Sequence, residues 1–106
     1  MSEEFRAYIQ PNGPRPEYYA IAEHLWGKGI DIDSDGNSKT PDSKEWTELT
    51  LINRSDDSQR IDIDPAQESP LVLEIRGPEK LVRLAAGLLA VHCNCEVQTS
   101  LDGHGT

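Results

Sequence analysis

Five short stretches of this sequence alternate apolar and polar residues with a period of two, the spacing of side chains on the two faces of a β-strand. FRAYIQ sets Phe5, Ala7 and Ile9 against Arg6, Tyr8 and Gln10, and EWTELTLIN sets Leu49 and Leu51 against Trp46, Glu48, Thr50 and Ile52. RIDID opposes Ile61 and Ile63 to Asp62 and Asp64, and LVLEIR opposes Leu71, Leu73 and Ile75 to Val72, Glu74 and Arg76. HCNCEVQT completes the series with Cys93, Cys95 and Val97 against Asn94, Glu96 and Gln98. Each stretch has one clearly apolar face, so the strands are expected to share a sheet with one side covered and one side mixed.

The cover comes from two stretches with helical spacing. From Glu17 to Trp26, the residues Tyr18, Ile21, Ala22 and Leu25 fall at i, i+3, i+4 and i+7, after a proline suited to the first helical position. Tyr19 and Trp26 lie side by side about 90° from the centre of that stripe, at 100° per residue. EKLVRLAAGLLAV follows Pro78 and is apolar except for the stripe Lys80, Arg83 and Gly87. PNGPRP, RSDDSQ, PAQESP and RGPE are turns by composition.

The expected architecture is an α+β domain with a single, mainly antiparallel sheet and both helices packed on its apolar face. Its order is β-α-β-β-β-α-β. That order resembles the ferredoxin-like sandwich with one extra hairpin strand, a fold shared by unrelated activities. At 106 residues the chain suits one domain over 1–106, with 102–106 a loose tail.

Ten basic against nineteen acidic residues give a net charge of −9. Residues 31–68 alone hold eleven acids and four bases. Such a field repels nucleic-acid phosphates and anionic lipid headgroups and favours cations or basic protein surfaces. Neither a basic stripe with stacking aromatics nor a phosphate-cradling glycine loop is present. MSEEFRAYIQ does not read as a secretory signal, and Leu84 to Val91 is far shorter than the roughly 20 apolar residues of a membrane span. A cytoplasmic location is expected, and it fits two reduced, buried cysteines, since Cys93 and Cys95 are poorly spaced for a mutual disulfide.

DIDSDGNSKTPD, residues 31–42, resembles the calcium loop of EF-hand proteins. The resemblance implies side-chain oxygens from Asp31, Asp33 and Asp35, a sharp turn at Gly36, a backbone carbonyl from Asn37 and a carboxylate from Asp42. Ser38 departs from the aliphatic brace of such loops, and Pro41 with Asp42 replaces the following helix and its glutamate. The alternative is a solvated acidic turn, which the same residues favour locally. His92, Cys93, Cys95 and His104 include zinc-ligand types, but the strand phase directs His92 away from the cysteines.

No nucleophile, base and orienting group occur in a recognisable constellation. The surface is more informative. The mixed sheet face gathers Glu48, Asp62, Asp64, Glu74 and Glu96 around Tyr8, Trp46 and Ile52, suiting a basic partner with aromatics as anchors and charges for steering. The expected function is that of a small, acidic, non-enzymatic binding protein. In size and charge the chain resembles the small immunity proteins that neutralise basic nuclease toxins. A weak calcium-binding module through 31–42 is one alternative. Another is a ligand-binding or enzymatic dimer using the sheet face or a groove near Tyr19 and Trp26; an uncovered face or edge can pair with a second copy as readily as with a partner.

Overall fold

The computed structural model describes residues 4–37, 40 and 43–99. It contains β1 (Phe5–Ile9), α1 (Tyr18–Trp26), β2 (Ile32–Gly36), β3 (Leu49–Asn53), β4 (Asp56–Glu68), β5 (Leu71–Gly77) and α2 (Glu79–Cys93). The strands form one five-stranded sheet in the order β1-β5-β4-β3-β2, with every neighbouring pair antiparallel. The α+β class, the single antiparallel sheet and the two helices agree with the sequence expectation.

The period-two alternation lays out the core row by row. Ala7, Ile75, Ile63 and Leu49 are successive cross-strand partners, and all four are buried. Ile9 pairs with Leu73 and Ile61 with Leu51 on the same face. Ile21 and Ala22 of α1 and Leu81, Val82, Ala85, Ala86 and Leu89 of α2 complete the cluster. Each fully buried Leu or Ile contributes roughly 1.5–3 kcal/mol, so this layer dominates stability.

The element order differs from expectation at two places. HCNCEVQT is not a strand: α2 continues through Cys93 and ends at Asn94, whose N–H still reaches the Ala90 and Val91 carbonyls and whose left-handed φ of 55° turns the chain out of the helix as the Cys95 N–H bonds the Ala90 carbonyl at 2.9 Å. The reason is periodicity, because Val82, Ala86, Leu89 and Cys93 are spaced 4, 3 and 4 and form one buried helical stripe. Beyond it, the described residues make only an isolated bridge between Tyr8 and Gln98. The second difference is β2, which forms within the stretch read as an acidic turn. It is an edge strand with a single apolar residue, Ile32, so it carries no alternation to detect.

These changes make the observed order β-α-β-β-β-β-α, and they correct the ferredoxin-like arrangement. Strands β2 to β5 run as a meander, and the one crossover carries α1 from β1 at one edge to β2 at the other. No second crossover to a final strand occurs among the described residues. β4 also extends past the expected PAQESP break: Pro65 lies beyond the last β3 pair, Leu49 with Ile63, where no strand on that side needs its missing N–H.

Candidate functional site: the uncovered sheet face

Both helices pack against the buried phase of the strands, which leaves the other face of the sheet uncovered. Register assigns its side chains. One row runs Arg6, Arg76, Asp62, Thr50, Asp35; a second joins Tyr8, Glu74 and Asp64; a third joins Arg60, Ile52 and Asp33. Tyr8, Ile52, Asp62, Asp64 and Glu74 are therefore placed on the same face as expected, and all five are half-buried.

The face also carries three arginines that sequence reasoning did not weigh, although Arg6 and Arg76 stand in its polar phase. Tyr8 Oη donates to Glu74 Oε2 at 2.9 Å, and Arg6 Nη1 lies 3.8 Å from that oxygen. Arg76 Nη2 bonds Asp64. Arg76 Nε lies 3.3 Å from Glu74 Oε1, but at an angle that makes no hydrogen bond and leaves this buried N–H without a partner. Arg60 holds both oxygens of Asp62, Nη2 to Oδ1 at 3.1 Å and Nε to Oδ2 at 3.2 Å, and Thr50 Oγ1 donates to the same Oδ1 at 2.7 Å. Within the strands five carboxylates (Asp33, Asp35, Asp62, Asp64, Glu74) meet three guanidiniums, and Arg54, just past β3, is shared between Asp31 and Asp33, so the acid surplus is small and lies on β2.

Two titrations follow from these contacts. The hydrogen bond to Glu74 is the main reason the Tyr8 phenol is raised above its ordinary value, with burial adding to it. Burial pushes the Asp62 carboxyl up, but the Arg60 and Thr50 hydrogen bonds and the charges of Arg60 and Arg76 outweigh it, so the group is lowered. A carboxylate lowered in the folded state stabilises the fold above its unfolded pKa and loses that contribution as pH falls through the folded value. Stability is thus expected to fall on acidification below about pH 4. Asp62→Asn should flatten that limb. Urea midpoints measured from about pH 7 to about pH 2 check this, and an unchanged acid limb in the variant contradicts it.

The other predicted site residues are dispersed. Trp46 is not on the open face: it is 1 % exposed, packs in the core, and donates its indole N–H to the Pro16 carbonyl at 2.8 Å. It lies before β3 begins, where the chain is still irregular and strand phase does not apply. Glu48 is exposed at the entry to β3 and stays beside β2 because Asn37 Oδ1 accepts from the Thr47 and Glu48 amides at 2.9 and 3.0 Å. Tyr19, 50 % exposed, lies against Tyr18 with ring centroids 4.9 Å apart. Trp26 joins the edge of the core and donates to Gln59 Oε1 at 2.6 Å. Both belong to the helical layer.

Glu96 is exposed beside a cleft of about 490 Å³ at the β1 edge, lined also by Tyr8, Gln10, Gln67, Val72 and Gln98. Its walls are mainly polar, with the carboxamides of Gln10, Asn12, Gln67 and Gln98 among them, unlike the deep apolar pocket usual for small ligands. Cys93 and Cys95 are free thiols, both raised chiefly by burial. His92 is exposed on α2, and His104 lies outside the described residues.

Of the calcium-type residues, Asp42 lies outside the described residues, and Asp31, Asp33 and Asp35 stand on or next to a strand. They are strung along about 13 Å of extended chain, whereas a calcium ion needs its oxygens about 2.3–2.6 Å from one centre. Arg54 Nη2 pairs with Asp33 at 2.8 Å, and its Nε lies 3.7 Å from Asp31. Among the described residues there is no group of three or more His, Cys, Asp or Glu arranged to hold a metal ion.

No described helix is long and apolar enough to cross a membrane. Comparison with known proteins finds no match: no family model, no curated protein and no solved structure is similar to this chain. The class defined here is therefore structural, an α+β protein with a five-stranded antiparallel sheet open on one face.

Proposed function

We propose that this chain is a small non-enzymatic binding protein whose uncovered sheet face engages a basic protein partner, in the manner of an inhibitor or immunity protein. The observation that carries the reading is the uncovered face itself, with Tyr8, Ile52 and Val72 half-buried among charged neighbours. Tyr8 and Val72 on one side of the Arg6–Arg76–Asp62 row and Ile52 on the other supply apolar anchors, and the charges between them supply register and steering.

The face's own ion pairs define the partner further. Arg6, Arg60 and Arg76 already neutralise Glu74, Asp62 and Asp64, so a uniformly basic surface would meet three like charges. The complementary surface is basic opposite β2 and mixed opposite β4 and β5. Surface pairs of this kind are each worth roughly 0–1 kcal/mol, so they exchange easily when a partner arrives.

The net charge of −9 acts at longer range. Association with purified basic proteins, a basic nuclease domain among them, should slow on the order of 10- to 100-fold between about 0.02 M and about 0.5 M salt. Stopped-flow mixing reads that rate. Asp33→Asn with Asp35→Asn should lower the low-salt rate severalfold, and Ile52→Arg should abolish the complex. A salt-independent rate, or a complex indifferent to Ile52→Arg, sinks the reading.

A further inference from the structure

We propose that the outer edge of β2 receives an extended segment of the basic partner as an added strand, with Lys or Arg at alternate positions set against Asp33 and Asp35. This deepens the basic-partner reading and rests on it.

The two edges of the sheet are treated differently by the fold. At β1 the chain itself bridges the middle of the edge: Tyr8 N–H donates to the Gln98 carbonyl at 2.7 Å, and Gln98 N–H returns to the Tyr8 carbonyl at 2.9 Å. At the opposite edge, β2 pairs with β3 alone among the described residues, and Asp33 to Gly36 are exposed. An edge strand presents unpaired N–H and C=O groups, the template that strand addition uses, and on β2 the amide at its end, Gly36 N–H, is held by Asp35 Oδ1.

Charge selects the occupant. Register places Asp33 opposite Ile52 and Asp35 opposite Thr50, so both carboxylates rise from the open face and would flank the side chains of an incoming strand. A second copy of this chain would bring aspartates against aspartates, and like charges directly opposite are destabilising. A basic strand reverses that sign. Arg54 shares Asp33 at the surface, while Asp35 Oδ1 accepts only from the adjacent Gly36 N–H at 2.8 Å and makes no ion pair among the described residues. On the other phase Ile32 is half-buried, which suits a small apolar residue between the basic ones.

The test uses acetyl-KVKVK-amide and two versions N-methylated on alternate residues, one at the valines and one at the internal lysine, titrated into the ¹⁵N-labelled chain at low salt. In an added strand alternate amides face the sheet and the rest face solvent, so one methylated peptide should bind about tenfold more weakly and the other unchanged. Hydrogen exchange in β2 should slow with the unmodified peptide, and Asp33→Asn with Asp35→Asn should weaken it severalfold. Equal binding by all three peptides overturns strand addition and leaves a purely electrostatic face. Failure of every basic peptide to bind overturns the basic-partner reading as well.

Discussion

Trp46→Ala should lower the unfolding free energy by about 3–5 kcal/mol, the range for removing a large buried aromatic. Trp46 is among the largest fully buried side chains, in the cluster with Leu49, Leu51 and Ile21. Its indole is also the partner of the Pro16 carbonyl, so truncation opens a cavity and strips a buried acceptor where the chain enters α1. Arg15 reinforces the same junction, donating from Nε to the Trp46 carbonyl at 2.9 Å. Trp46→Phe should recover most of the loss, because the ring volume returns and only the hydrogen bond is missing. Urea unfolding of the three proteins checks the series. If the alanine variant unfolds at the wild-type midpoint, Trp46 is a surface residue and its place in the core is wrong.

Gly36→Ala should cost roughly 2–5 kcal/mol, combining backbone strain with overpacking. Gly36 ends β2 at φ +137°, a conformation L side chains rarely adopt, and a Cβ there would stand 2.1 Å from the Glu48 carbonyl oxygen. Gly36 pairs with Leu49, so relief requires β2 and β3 to part. The Asn37 amide, which bonds the Glu48 carbonyl at 3.1 Å, would be pulled away with it. Faster hydrogen exchange confined to β2 and β3, with a lower melting temperature, is the expected result. Wild-type exchange in β2 would contradict the close approach. The variant also removes the edge on which strand addition depends.

Much of the architecture was legible because core packing obeys simple periods. Leu49, Leu51, Ile61, Ile63, Leu73 and Ile75 alternate in sequence and are buried in the structure. What escaped was structure set by other means. β2 has no apolar phase and is held by its pairing with β3 and by the Asn37 clamp. Cys93 and Cys95 satisfy a period of two locally, but the longer run from Val82 obeys the helical period, and the longer run prevails. Trp46 sits in a loop, where alternation predicts nothing, and its burial depends on Pro16 thirty residues earlier. The face was assigned correctly for Tyr8, Ile52, Asp62, Asp64 and Glu74, yet its internal pairing depends on strand register. Composition could not show that Arg60 would clasp Asp62 or that Arg76 would join Glu74 to Asp64.

The uncovered face as the binding surface is tested most directly by mapping where a polycation settles. The ¹⁵N-labelled chain is titrated with poly-L-lysine of about twenty residues at low salt, and amide shifts are followed residue by residue. The expected footprint covers Asp33, Asp35, Thr50, Ile52 and Asp62, and it fades at about 0.5 M salt as the charges are screened. Shifts centred on α1 and α2, or no shifts at low salt, would contradict it.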